Sequence, residues 1–201
     1  FLILHKMATD FNANLIAELY ATMSAEKATR ISDEMVEIGD PIFPRQIYEA
    51  YKKFRETPVS HYFVSDITSF KTKDAAEILK EIAHTTGKSG DIRMMIDYLT
   101  DIEYFEQEII GKVRGIIIEE LMQKEAESYD IGDYFMYIEK SGRGLGDLEP
   151  FLRSCFEDDE QSHSLRKLVL KKLLELDPKK HITFYYENYD LIKGKRTEVI
   201  F

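Results

Sequence analysis

Residues 147–178 read DLEPFLRSCFEDDEQSHSLRKLVLKKLLELDP, and two helices with a turn between them are legible in that stretch. Asp147 stands where it can open the first helix, over 148–156. The acidic run Glu157-Asp158-Asp159-Glu160 then interrupts the apolar pattern, and Ser162 or Ser164 can cap a second helix over 165–176. In that second helix Leu165, Leu168, Val169, Leu173 and Leu176 follow at spacings of 3, 1, 4 and 3. These spacings put them on one side of a helix with 3.6 residues per turn. Arg166, Lys167, Lys171 and Lys172 then fall on the opposite side, expected to face water. Asp177-Pro178 stops the helix, since proline cannot continue it. A helix with one apolar stripe must bury that stripe against a neighbour, so the stretch predicts an antiparallel helical hairpin.

The same pattern extends outward. Leu15, Ile16, Leu19 and Met23 form an apolar stripe near the start, with Asn12 or Asn14 available as a cap. Further helices are predicted over 24–38, 42–54, 59–70, 75–84, 92–105, 106–126 and 131–138. Gly39 supplies a stop for the first of these, and Asp40-Pro41 opens the next. Asp74 and Asp91 are placed to cap the helices that follow them, with Gly87-Lys88-Ser89-Gly90 as the intervening loop. Hairpin starts fall near Asn12, Asp40, Lys73, Glu106, Asp147 and Pro178, separated by 28, 33, 33, 41 and 31 residues. A recurring unit of two helices is the mark of an α-solenoid. The expected fold is therefore all-α, a single helical-repeat domain over 1–201 built of stacked antiparallel hairpins. The tail reads differently. His181 to Tyr186 is rich in β-branched and aromatic residues and Thr197 to Phe201 resembles a strand, so 181–201 reads as a small β-hairpin or extended tail, or else as a last helix followed by something more.

Within 147–178 the order of features resembles a HEAT repeat. Leu148, Pro150, Phe151 and Leu152 sit in the first helix, an acidic turn containing Asp159 follows, and Leu165-Arg166, Val169 and Leu173-Leu174 sit in the second. Ile38-Gly39-Asp40-Pro41 with Pro44, Ile47 and Tyr48 is similar to the junction between short HEAT-like repeats. The resemblance implies that Asp159 and Arg166 bond between adjacent units, and that the array is a scaffold binding partners along one face. It implies no substrate, because chemistry lives in sites rather than folds.

Composition restricts the function further. The net charge of −10 opposes the Lys- and Arg-driven counterion release on which nucleic-acid affinity depends, so neither nucleic acid nor an anionic membrane is an expected partner. The longest apolar stretch, Gly115-Ile116-Ile117-Ile118, is far short of the roughly 20 residues a bilayer span needs. Phe1 to Lys6 is too short for a signal-peptide core. One cysteine, Cys155, can form neither an internal disulfide nor a thiolate metal cage, and a cytoplasmic setting is expected.

Catalytic motifs are not found. Gly87-Lys88-Ser89 suggests a nucleotide loop, but position 82, where that pattern requires its first glycine, is Ile82, and a helix rather than a strand leads in. Gly142, Gly144 and Gly146 do not follow a strand either. The histidines His5, His61, His84, His163 and His181 lack helical metal-pair spacing. Asp97 and Asp101 lie one turn apart, but among 37 acids such pairs arise by chance. The expectation is no catalytic residue, no cofactor and no metal.

Aromatic residues are more informative. Tyr pairs apolar area with a polar tip and makes a good interface anchor. Tyr48, Tyr51 and Tyr62 fall on one predicted hairpin, and Tyr134 and Tyr137 on another, which makes these five the candidate partner-binding residues. An acidic surface favours a basic partner. The sequence thus reads as a non-enzymatic protein-binding scaffold or adaptor. The alternatives are a HEAT-like DNA glycosylase, against which the charge and the absence of Trp both count, and an acidic immunity or regulatory protein that masks a basic partner.

Overall fold

The computed structural model describes residues 19–20, 22–123 and 128–188, with 128–130 described for the backbone alone. Among these the chain is helical, with no strand. The α-helices are α1 (Ala25–Ile38), α2 (Phe43–Phe54), α3 (Ser60–Thr68), α4 (Lys73–Thr85), α5 (Ser89–Asp101), α6 (Gln107–Met122), α7 (Ser128–Lys140), α8 (Glu149–Glu157), α9 (His163–Leu176) and α10 (Pro178–Glu187). A 3-10 turn, Gly146–Leu148, leads into α8. The chain divides into two compact units, Phe1–Tyr104 and Phe105–Phe201. Of the predicted first helix only its last residues are described, Leu19 and Tyr20 being helical.

In the first unit, each helix is terminated by a local device. Gly39 takes the left-handed conformation at φ 71° and returns its N–H to the Met35 carbonyl, ending α1 as a C-terminal glycine does. Pro44 sits in the first turn of α2, where a missing N–H costs nothing. The side chain of Thr72 accepts from the Ala75 N–H and caps α4, so Asp74 is not the cap; it lies in the first turn and pairs with Arg45 at 2.7 Å. The core stripe of α2 is Phe43, Ile47, Ala50, Tyr51 and Phe54, all buried. α1 packs on α2 and α3, α2 on α3 and α4, α3 on α4 and α5, and α4 on α5. Each helix thus meets the next and, as far as α5, the next but one.

α5 begins at Ser89, earlier than its sequence suggests, which draws Gly90 into the helix. The Lys88 N–H bonds to Thr86 Oγ1, so the turn is made by Thr86 and not by an Asp91 cap. Ile102, expected in the apolar stripe, is 38% exposed, because the chain leaves the helix there and Glu103 follows with φ +53°.

In the second unit α6 packs on α7 and α8, α7 on α9, α8 on α9, and α9 on α10. Ser162 caps α9 through the Leu165 N–H. Leu165, Val169 and Leu173 are buried as their spacing requires, and Leu170 joins them. Leu168 and Leu176 are only half-buried, which turns the buried stripe toward Leu170. Arg166 and Lys172 are consequently not on a solvated face, their side chains being 16% and 13% exposed. Arg166 bonds the Phe156 carbonyl at 2.8 Å and Asp159 at 3.2 Å, inside one hairpin.

Of the alternatives read for the tail, the last helix holds over 181–187 and the β-hairpin or extended form does not. Asp177 Oδ1 accepts from the N–H groups of Lys179 and Lys180, and Pro178 occupies the first turn. His181 is then wholly buried, and Phe184 meets Phe156 edge-on at 5.1 Å under the Arg153 guanidinium. A strong cap and a packed face override the β propensity of His181 to Tyr186. Residues 189–201 lie outside the described residues.

Long-range polar contacts in each unit span 28 to 40 residues of chain, from Lys88–Ser60 at 28 and Arg45–Asp74 at 29 to Tyr51–Asp91 at 40, and five fall at 33. Lys53 reaches the Tyr20 carbonyl, Tyr48 reaches Glu81 and Lys88 reaches the Arg55 carbonyl, each across 33 residues of chain. In the second unit Arg114 reaches Asp147 and Lys172 reaches Glu139, again across 33.

Candidate functional site

The most developed polar constellation lies in the first unit, where the C-terminal ends of α2 and α4 meet the start of α5. Its hub is Asp91, only 1% exposed. Tyr51 Oη donates to Asp91 Oδ2 at 2.7 Å, Thr86 Oγ1 to the same oxygen at 2.8 Å, and Ser60 Oγ to Oδ1 at 3.3 Å. A carboxylate taken out of water is tolerable only when its lone pairs are filled in this way. Lys88 lies beside the hub. Its ammonium donates to the Arg55 carbonyl, and reaches the Thr57 carbonyl and Ser60 Oγ at 3.4 Å each. It therefore satisfies carbonyls just past the end of α2, where a cation is electrostatically favoured.

Tyr48 stands one turn before Tyr51 on α2, and their rings stack with centroids 6.1 Å apart at 16°. The Tyr48 hydroxyl donates to Glu81 Oε1 at 2.6 Å, and the Lys52 ammonium lies 4.9 Å from its ring centroid. Burial pushes both phenols above their ordinary pKa, and the carboxylates that accept their protons push them further. Both stay protonated at neutral pH and serve as donors, not as nucleophiles or bases.

These side chains surround an open cavity of about 380 Å³, edged also by Arg55, Glu56, Thr85 and Gly87. Its size suits a small ligand. Its wall has no histidine or cysteine. Gly87 and Lys88 do reach it, yet the Lys88 ammonium is spent on two carbonyls and one hydroxyl of its own unit rather than held out for a phosphate.

The five candidate tyrosines have different surroundings. Tyr48 and Tyr51 are brought together at the cavity. Tyr62, on α3, is 52% exposed and its ring lies 4.2 Å from that of His61. Tyr134 and Tyr137 are buried in the second unit, and Tyr137 packs against Phe105 at 5.3 Å. Asp91 is the residue sequence reasoning missed. It looked like a helix cap, and no local pattern links it to Tyr51 or Ser60.

Elsewhere, burial pushes the Cys155 thiol to about 11, which leaves it unreactive at neutral pH. No group of three or more potential metal ligands is found among the described residues. No described helix is long and apolar enough to cross a membrane. No protein-family model, curated protein or solved structure matches the chain.

Proposed function

We propose that this chain is a protein-binding scaffold: an α-solenoid of short helical hairpins whose acidic, tyrosine-bearing surface receives a partner with a basic surface. The observation that supports it is the recurrence of polar contacts across 33 residues. Two of these contacts join helices two apart in the chain, Tyr48 of α2 with Glu81 of α4 and Lys172 of α9 with Glu139 of α7, and arrays of two-helix units present extended faces to partners. A step of 33 is shorter than the roughly 40–47 residues of a HEAT unit. The array is therefore proposed as short helical hairpins, HEAT-like in plan.

Tyr62 is the exposed anchor. It offers a large aromatic ring at low entropic cost, and the net charge of −10 steers a basic partner toward it. The test starts with capture on immobilised protein and identification of what is held. The purified captured protein is then titrated against wild type and Tyr62→Ala. Binding that weakens as salt rises, and weakens again in Tyr62→Ala, is expected. A captured protein that binds both forms equally at every salt concentration would overturn the proposal.

A further inference from the structure

The cavity beside Tyr48 carries balanced charge, Lys52, Arg55 and Lys88 against Glu56, Glu81 and Asp91. These groups differ in how much bonding capacity they have left. Lys88 uses its donors on the Arg55 and Thr57 carbonyls and Ser60. Asp91 has both oxygens filled by Tyr51, Thr86 and Ser60. Arg55, by contrast, commits only Nε, to Glu56 Oε1 at 3.0 Å, and its side chain is 61% exposed. Lys52 reaches Glu49 and has donors to spare, and its side chain is 48% exposed. Glu81 takes the Tyr48 hydroxyl on Oε1 and keeps Oε2 for another donor.

The rim therefore offers unspent cationic donors at Lys52 on α2 and at Arg55 just past its end, one turn apart, and an unspent carboxylate oxygen on α4. We propose that the cavity binds a small zwitterion of the amino-acid class, its carboxylate held by Arg55 and Lys52 and its ammonium by Glu81. A bidentate guanidinium matches a carboxylate in both geometry and charge. A ligand of net charge is disfavoured on either sign. An anion would face three carboxylates of the wall on a chain already at −10, and a cation would face three fixed cations. A zwitterion places each pole against its complement. The volume of about 380 Å³ accommodates a free amino acid. The proposal is independent of the scaffold reading, which rests on Tyr62 and the repeat step.

The experiment is calorimetric titration of the full chain with each standard free amino acid, and with inorganic phosphate as the anion probe. The best binder is then compared with its N-acetyl and carboxamide derivatives. Expected are one or more free amino acids with Kd of about 1 mM or tighter. Each derivative should lose about tenfold or more. Arg55→Gln should abolish the preference for acid over carboxamide, and Glu81→Gln the preference for free amine over N-acetyl. Both side chains stand at the rim, and circular dichroism checks that each variant keeps its helices. No binding by any amino acid at about 10 mM would overturn the proposal. So would derivatives that bind as well as the parent, or phosphate that binds as tightly as the best amino acid.

Discussion

Tyr51 Oη and Asp91 Oδ2 are 2.7 Å apart across 40 residues of chain, and that bond fastens α2 to the start of α5. Asp91 also takes the Thr86 and Ser60 hydroxyls, so one buried carboxylate joins α2, α3, the turn after α4, and α5. Replacing Asp91 with Ala removes the carboxylate that accepts from three hydroxyls. A buried group left unpaired costs about 1–3 kcal/mol, so Asp91→Ala should destabilise by about 2–4 kcal/mol. Tyr51→Phe removes one of three donors and should cost about 1 kcal/mol. Urea unfolding of the two variants measures both. An Asp91→Ala variant within about 0.5 kcal/mol of wild type would show that the hub carries no structural weight.

Asp66, on α3, makes a pH-dependent contribution. Its Oδ2 is buried without a hydrogen-bond partner. Burial, and then the charge of Asp33, push its pKa up from 3.8 to about 7. The folded state thus holds a proton there that the unfolded state has already lost between pH of about 4 and 7, and stability from this group falls as pH rises through that window. Asp66→Asn removes the effect. The variant should lose less stability than wild type between pH 5 and 8, and at pH 8 should be the more stable by about 1–2 kcal/mol, allowance being made for the part of the side chain that water reaches. Groups common to both proteins cancel in the comparison. Parallel pH profiles from thermal melts would refute the assignment.

Helices were legible in this sequence and polar tertiary contacts were not, for a definite physical reason. The stripe Phe43, Ile47, Ala50, Tyr51, Phe54 repeats at the helical period, and so does its burial. Gly39 and Ser162 announce their helix ends by local chemistry alone. Asp91 obeys no such period. An aspartate in the first turn of a helix is the ordinary sign of a cap, and only the arrival of Tyr51 and Ser60 from distant segments makes it a hub. For 181–187 the residue types favoured a strand, and the deciding information lay one residue upstream of Pro178, in the cap at Asp177. Of the five tyrosines, the sequence could group Tyr48 with Tyr51 by spacing. It could not tell Tyr62, in water, from Tyr134 and Tyr137, in the core, because a tyrosine suits either place.

The second helix of the stretch at 147–178 permits the sharpest comparison, three adjacent positions with three different surroundings. Lys171 is 72% exposed, with only Glu175 nearby at 3.7 Å. Lys172 is 13% exposed and bonds Glu139 at 2.7 Å and Glu175 at 3.0 Å. Burial works against its charge, and the bonds to those two carboxylates outweigh it, holding the ammonium above its ordinary pKa. Leu173 is wholly buried. Lys171→Ala should change stability by under about 0.5 kcal/mol. Lys172→Ala should cost about 1 kcal/mol, since it removes both the ion pair that ties α9 to α7 and the aliphatic stem packed beneath it. Leu173→Ala should cost about 2–5 kcal/mol from lost transfer energy and the cavity left behind. Denaturant melts of the three variants test the order. A helix with a simple two-sided division between core and water would give two near-neutral lysines and one costly leucine. A measurable cost at Lys172 alone among the lysines shows that the contact across 33 residues to Glu139 adds a second fastening to the hydrophobic stripe. If Lys172→Ala proves as neutral as Lys171→Ala, that contact contributes nothing to holding α9 on α7, and the repeat step on which the scaffold reading rests loses its energetic support.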